Sequence, residues 1–130
     1  MSTYLLDTHV FLWLLSTPDR VPQPVRDVLA DATHALLVSA ASAMEIATKT
    51  RLGKLDGQAV ITGWSAAIAA IGGDELAITG DHAVLAGTLP WDHRDPFDRF
   101  LVAQAIRGSA TLVTADQAIQ NYRQVAVLPV

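Results

Sequence analysis

Short apolar runs rich in branched residues alternate with longer stretches of helical periodicity along this chain. The short runs predict strands at residues 3–6, 34–38, 75–78, 111–113 and 125–129. The longer stretches predict helices at residues 8–16, 23–31, 40–52, 57–71, 80–88, 95–107 and 116–122. Because strands and helices alternate, we expect a parallel sheet of about five strands with helices on both faces. The predicted fold class is therefore a three-layer α/β/α sandwich.

The length of the chain, its apolar stretches and its first residues predict one domain in the cytoplasm. The 130 residues fit a single-domain size and contain no linker-like segment, so we expect one domain over residues 1–130. No stretch reaches the roughly 18 apolar residues of a membrane span, and MSTYLLDTHVF lacks the basic start of a signal peptide. We therefore expect no membrane partner. Since the chain has no cysteine, thiolate metal sites and cysteine nucleophiles are excluded.

Four acidic residues are placed where strands end and helices begin. Asp7 ends the first predicted strand, Glu45 lies on the helix that follows the second, and Asp116 follows the fourth. Asp98 opens the long helix just before that fourth strand. Because parallel strands end at the same edge of a sheet, where ligands bind in such folds, we expect these four carboxylates to converge.

Each of these acids also has a purely structural explanation. Asp7 and Asp116 can cap the helices that they precede, and the spacing of SAME at residues 42–45 fits a capping box. In HRDPFDRFLVAQA, residues 93–105, Asp95 fits an N-cap and Asp98 then lies in the first helical turn. Taken singly, each acid is best explained as a cap, but four acids at one edge require a further explanation.

Four carboxylates at one edge repel one another unless a cation lies between them. Oxygen ligands without cysteine suit Mg²⁺, with Mn²⁺ as a second possibility, and such an ion can orient a phosphate and lower the pKa of a bound water. The chain has 13 acidic and 9 basic residues, a formal charge of −4, which argues against an ordinary nucleic-acid surface. Without the four site acids the chain has 9 acidic and 9 basic residues. A cation bound at the site would therefore weaken the charge argument against a nucleic-acid substrate.

Basic residues flank two of the predicted site acids. Lys49, Arg51 and Lys54 lie on and after the helix of Glu45, whereas Arg94 and Arg99 flank Asp98. A solvated helix end, where cations complement the helix dipole, explains the first group as well as phosphate contact does. His93 precedes Arg94, and it is either a polar packing group or an RNA contact.

Four segments of the sequence, in order, resemble the motifs of PIN-domain proteins, specifically the VapC-type toxins of bacterial type II toxin–antitoxin pairs. They are LLDTHVFLW, SAASAMEIATKTRLGKL, HRDPFDRFLVAQA and TLVTAD, and together they extend over nearly the whole chain. The segment over residues 54–74 is the weakest match, because it carries no site motif. The resemblance implies a PIN-like sandwich and a metal-dependent endoribonuclease.

The resemblance also implies roles for individual residues. Asp7 and Asp98 are expected to be the principal direct metal ligands, with Glu45 and Asp116 completing the site directly or through water. Further expectations are a supporting hydroxyl at Thr114, an N-cap and additional acid at Asp95, and RNA contacts from His93, Arg94, Arg99, Lys49 and Arg51. By the same resemblance we expect RNA as substrate, a cognate antitoxin as partner, and a homodimer.

Two other function classes remain as alternatives. A phosphohydrolase that forms an aspartyl phosphate needs a second acid two residues after its nucleophile, but His9 stands at that position after Asp7. A non-catalytic α/β binding module, such as a receiver domain, normally shows an acidic pair after its first strand and a lysine after a late one. This chain has a single acid after the first strand, and TLVTAD contains no lysine.

Overall fold

The computed structural model describes residues 1–130 and contains one five-stranded sheet. Its strands are β1 Thr3–Leu6, β2 Ala35–Ser39, β3 Asp74–Leu76, β4 Thr111–Thr114 and β5 Val127–Pro129. All neighbouring strands are parallel, and their order across the sheet is β3-β2-β1-β4-β5. With helices on both sides, this arrangement confirms the predicted α/β/α sandwich.

Eight α-helices connect and cover the strands. They are α1 Thr8–Ser16, α2 Gln23–Ala30, α3 Ala40–Arg51, α4 Gln58–Thr62, α5 Trp64–Ala70, α6 Gly80–Thr88, α7 Pro96–Arg107 and α8 Gln117–Gln120. A single 3-10 turn at Pro18–Arg20 precedes α2. None of the helices has the length and apolar character needed to cross a membrane.

The long helix predicted over residues 57–71 is wrong, because the structure divides it into α4 and α5. The break falls at Gly63, whose backbone angles of φ −109° and ψ 43° lie outside the helical region. Glycine disfavours a helix interior by about 1 kcal/mol relative to alanine, because it loses more backbone freedom. The apolar residues of this segment, Val60, Ile61, Trp64, Ile68 and Ile71, pack on the core.

Two apolar clusters, one on each face of the sheet, form the core. Successive residues of a strand point to opposite faces, so Leu5 of β1 packs in one cluster and Leu6 in the other. In β4, Leu112 and Val113 divide in the same way. All four side chains are fully buried, and the sheet is therefore covered on both sides, as parallel sheets require.

The topology creates a crevice at the carboxyl edge of β1 and β4. From β1 the chain adds β2 and β3 on one side, and it later adds β4 and β5 on the other. Such a reversal leaves a crevice outside the strand ends, where ligands bind. Helix α7 is tied to this region by a buried hydrogen bond of 2.5 Å from the Ser39 hydroxyl to the Gln104 side-chain oxygen.

Candidate functional site

An acidic pocket of about 250 Å³ lies at this crevice. Nine residues line it: Asp7, His9, Trp13, Glu45, Lys49, Asp95, Asp98, Ala115 and Asp116. All four acids predicted to converge from distant parts of the chain are among them. A fifth acid, Asp95, is present as well, so the lining is dominated by oxygen donors.

Asp7 combines a capping role with a place in the pocket. It is the N-cap of α1, and its Oδ1 accepts a hydrogen bond of 2.7 Å from the Thr8 backbone N–H. Its Oδ2 accepts one of 2.6 Å from the Thr114 hydroxyl of β4. Burial nevertheless raises the pKa of Asp7, since these two hydrogen bonds do not offset the desolvation, and the charge of Glu45 raises it further.

Glu45 is held on both of its carboxylate oxygens. The Thr8 hydroxyl donates to Oε1 at 2.6 Å, and the Lys49 ammonium contacts Oε2 at 2.6 Å. The Thr8 oxygen also lies 2.8 Å from the Ser42 hydroxyl, which can donate to it in turn. Burial acts to lower the pKa of Lys49, but the hydrogen bond and charge of Glu45 outweigh it and leave that pKa raised. The negative charge of Glu45 is therefore balanced by the ammonium group of Lys49.

Asp98 carries the most strongly perturbed carboxyl group of the site. It lies in the first turn of α7, only 7% exposed, with its Oδ2 2.8 Å from Nε2 of His93. The pKa of Asp98 is raised to about 7, chiefly by burial and against the hydrogen bond from His93. The charges of Asp95, Asp7 and Asp116 contribute to this rise. The pocket thus contains more negative charge than its own cations neutralise.

Asp95 and Asp116 each use one carboxylate oxygen as a helix cap. Oδ1 of Asp95 accepts a hydrogen bond of 2.9 Å from the Phe97 N–H at the start of α7. Oδ1 of Asp116 accepts one of 2.8 Å from the Ala118 N–H at the start of α8. These contacts confirm both predicted caps, and the second oxygen of each carboxylate accepts no hydrogen bond. Capping and pocket lining are therefore compatible in one residue.

The donor set suits a hard divalent cation held partly through water. No group of three or more acidic or histidine side chains lies close enough together to coordinate one ion directly. Mg²⁺, however, usually keeps several waters and is held by one or two carboxylates. Two raised carboxyl pKa values, at Asp7 and Asp98, mark the uncompensated charge that such an ion would neutralise.

Comparison with known proteins assigns the family. Residues 4–125 match the family model described as PIN domain. The chain belongs to the PIN domain family. One curated relative of this PIN domain is Ribonuclease VapC22 of Mycobacterium tuberculosis, which is 30% identical over 124 residues, or 95% of this chain and 94% of the relative. The resemblance to VapC-type proteins is thereby confirmed.

Solved structures with the same fold include two of DNA-bound VapBC proteins. The structure of VapBC2 from Rickettsia felis, bound to a promoter DNA fragment, aligns with a TM-score of 0.71 at 14% identity and covers 98% of both chains. DNA-bound VapBC from Salmonella typhimurium aligns at 0.70 and 15% identity, covering 99% of this chain and 98% of that one. At these identities the similarity concerns the fold, and it confirms the PIN-like sandwich.

The basic residues expected to contact RNA occupy different positions in this PIN domain. Lys49 lines the acidic pocket but is paired with Glu45. Arg94 is exposed in the loop before α7, next to His93. Arg51 is exposed at the end of α3 and lines neither the acidic pocket nor the cleft beside His93.

Arg99 points into the protein and organises the loop before α7. Its guanidinium donates four hydrogen bonds of 2.6–2.9 Å to backbone carbonyls, those of Ala86, Leu89, Trp91 and His93. The sequence predicts an RNA contact for Arg99, but these donors are engaged by the chain itself. The geometry therefore gives Arg99 a positioning role, in which it fixes the backbone that carries His93.

Replacing Arg99 by lysine is expected to lower the free energy of unfolding by about 2–3 kcal/mol, because one ammonium cannot reproduce a planar set of four hydrogen bonds to carbonyls. Thermal unfolding of Arg99→Lys measures this effect. The matched control is Arg94→Lys, an exposed neighbour whose replacement should leave the melting temperature unchanged. Equal melting temperatures for Arg99→Lys and the wild type would contradict the positioning role.

Several features of the site were not predicted from the sequence. The pairing of Glu45 with Lys49 has a signal, because acid and base four residues apart meet on one helix face. The hydrogen bond between Thr8 and Ser42 and the place of Trp13 in the pocket lining have none, because no sequence spacing shows that α1 and α3 meet. The predicted capping box at residues 42–45 is wrong: α3 begins at residue 40 with Ser39 as its N-cap.

Proposed function

We propose that this PIN domain is the ribonuclease toxin of a toxin–antitoxin pair, which hydrolyses RNA phosphodiester bonds with a divalent cation, Mg²⁺ or Mn²⁺. The observation that carries the proposal is the convergence of Asp7, Glu45, Asp98 and Asp116 on one pocket at the sheet crevice. The raised pKa values of Asp7 and Asp98 add to it, because uncompensated negative charge favours a cation. Similarity to Ribonuclease VapC22 supports the choice of RNA chemistry.

Asp7 and Asp98 would hold the cation directly, and Glu45 and Asp116 would complete the site directly or through water. A divalent cation in this place supplies charge neutralisation for the phosphate and activation of water. Two carboxylates plus water agree with the absence of a direct three-ligand cluster. The chain contributes the orientation of the ligands.

The surrounding side chains keep the carboxylates in place. The Thr114 hydroxyl fixes one oxygen of Asp7, and His93 fixes one oxygen of Asp98. Thr8 and Lys49 hold Glu45 from opposite sides. Such partners orient metal ligands, and their loss commonly costs 10–100-fold in metal affinity or activity. We therefore assign Thr114 a supporting role and Asp95 the role of fixing the start of α7.

The proposal includes a cognate antitoxin that binds this chain and controls access to the pocket. Solved structures with the same fold include VapBC complexes, which supports a partner of this kind. A homodimer and action in the cytoplasm complete the proposal. Size-exclusion chromatography with light scattering tests the dimer, which requires a mass near twice the 13.9 kDa of one chain.

Purified protein incubated with total cellular RNA tests the proposed activity. We expect discrete fragments with Mg²⁺ or Mn²⁺ and intact RNA with EDTA, because the acidic pocket repels phosphate without a cation. Asp56→Asn, at an exposed acid outside the pocket, is the matched control and should cleave like the wild type.

Fragments that form equally well in EDTA would contradict the cation-dependent mechanism. Intact RNA after incubation with a folded protein that binds Mg²⁺ and is free of antitoxin would favour the binding-module alternative. Hydrolysis of a simple phosphomonoester together with a trapped phosphoenzyme would instead favour the other phosphohydrolase class.

A further inference from the structure

Three aromatic rings form a continuous stack beside the acidic pocket. The Trp91 ring stacks on Tyr122 with ring centroids 4.7 Å apart and planes 15° apart. It also stacks on His93, at 4.6 Å and 27°. The stack joins two distant segments, because Trp91 and His93 lie before α7 whereas Tyr122 follows α8.

The stack forms one side of an open cleft of about 550 Å³. Its lining residues are Trp91, Asp92, His93, Arg94, Ala118, Asn121 and Tyr122. This volume lies within the roughly 300–1,000 Å³ typical of small-ligand sites. Aromatic rings, an amide, a carboxylate and a guanidinium in one cleft can together contact a flat ligand with polar edges.

The cleft and the acidic pocket adjoin through two shared elements. His93 lines the cleft while its Nε2 contacts Asp98 of the pocket at 2.8 Å. Asp116, the N-cap of α8, lines the pocket, and Ala118 of the same helix lines the cleft. A nucleic acid strand with one phosphate at the acidic pocket therefore has a neighbouring nucleotide within reach of the cleft.

The aromatic stack is anchored, which favours a preformed site. Arg99 donates hydrogen bonds to the carbonyls of both Trp91 and His93 and so fixes their backbone. The hydroxyl of Tyr122 is buried without a hydrogen-bond partner, whereas its ring lines the cleft. Preorganised rings lose little freedom when a base stacks on them.

We propose that this cleft binds the base of the ribonucleotide that adjoins the phosphodiester held in the acidic pocket. Tyr122 and His93, the outer rings of the stack, provide the stacking surface. Asn121 and Asp92 contact the edge of the base, and Arg94 contacts the backbone phosphate. The carboxylate of Asp92 selects a base edge with N–H donors. This inference rests on the proposed ribonuclease function and adds a determinant of RNA specificity to it.

The three tryptophans of the chain provide built-in reporters for a test. Trp91 lines the cleft, and Trp13 lines the acidic pocket. Trp64 lines neither, and its indole N–H donates a hydrogen bond to Glu75. Their indole signals in two-dimensional NMR are assigned by single Trp→Phe variants. The probes are the 5′-monophosphates of adenosine, guanosine, cytidine and uridine, with ribose 5-phosphate as the control without a base, all in EDTA.

We expect at least one nucleotide to shift the Trp91 signal in a saturable way, while Trp64 stays unchanged and ribose 5-phosphate shifts nothing. Tyr122→Leu should weaken this binding about tenfold or more, the usual contribution of one base–aromatic stack. Tyr122→Phe, which keeps the ring and removes only the unpaired hydroxyl, should bind within about twofold of the wild type. If Tyr122→Leu fails to fold, Asn121→Ala, at an exposed position, must change the relative affinities of the four nucleotides.

A Trp91 signal that no nucleotide shifts, or that ribose 5-phosphate shifts equally, would overturn the base-binding cleft. Unchanged affinities in both Tyr122→Leu and Asn121→Ala would overturn it as well. RNA cleavage by the same preparation separates this inference from the proposed function. Cleavage without a Trp91 response would support the nuclease and overturn the base-binding cleft. A Trp91 response without cleavage would overturn the proposed nuclease.

Discussion

Asp7→Asn is expected to reduce RNA cleavage by at least about a thousandfold, which corresponds to roughly 4 kcal/mol of transition-state stabilisation. Asparagine keeps the shape of Asp7 but removes the charge that would hold the cation. The measurement is the initial rate of cleavage of one RNA substrate at saturating Mg²⁺, with Asp56→Asn as the control. A rate within about tenfold of the wild type would refute the role of Asp7 as a direct ligand.

The loss of activity in Asp7→Asn should occur without a loss of fold. The asparagine carbonyl can accept the hydrogen bond from the Thr8 N–H, and its NH₂ group can donate to the Thr114 hydroxyl oxygen. Because a buried carboxylate with a raised pKa is also removed, the cation-free variant should melt at or above the wild-type temperature. A lower melting temperature would mean that the charge of Asp7 stabilises the fold.

Asp98→Asn is expected to raise the melting temperature of the cation-free protein at pH 8 by about 5 °C, while it abolishes cleavage. The carboxyl group has a pKa of about 7 when folded, above its unfolded value, so the folded state binds more protons between these values. The stability of the wild type in EDTA should therefore fall as the pH rises from about 4 to 7. Asparagine removes that contribution.

Thermal unfolding at pH 5 and pH 8, in EDTA and in Mg²⁺, tests this prediction. Mg²⁺ should stabilise the wild type at pH 8, since an ion that binds only the folded state raises its stability, and it should stabilise Asp98→Asn much less. Asp56→Asn should follow the wild type under all four conditions. If wild type and Asp98→Asn lose the same stability between pH 5 and pH 8 in EDTA, Asp98 is not the group responsible.

The sheet and the positions of the acids could be predicted because both depend on local patterns. Branched apolar runs give the five strands to within a residue or two, and a parallel sheet gathers their carboxyl ends at one edge. The N-caps at Asp7, Asp95 and Asp116 follow from the preference of aspartate for helix starts. The assignment of these acids as cation ligands stays a prediction.

The remaining features depend on contacts between distant segments, which carry no local signal. Arg99 directly follows the site acid Asp98, and only the loop folded over it shows that four backbone carbonyls accept its hydrogen bonds. The stack of Trp91 on Tyr122 requires residues 31 positions apart to meet, so no periodicity reveals it. The break at Gly63 is the opposite case. The glycine is visible in the sequence, but the helical periodicity of the apolar residues around it predicts one continuous helix.

The hydrogen bond from Thr114 to Asp7 joins residues 107 positions apart in the sequence. During synthesis the chain emerges from its amino end, so Asp7 is made long before β4, which must pair with β1 to bring Thr114 and Asp116 to the pocket. A nascent chain that stops short of β4 therefore lacks part of the site, however well β1 and β2 have paired. The order of the strands thus delays the assembly of the pocket until translation of the domain is nearly finished.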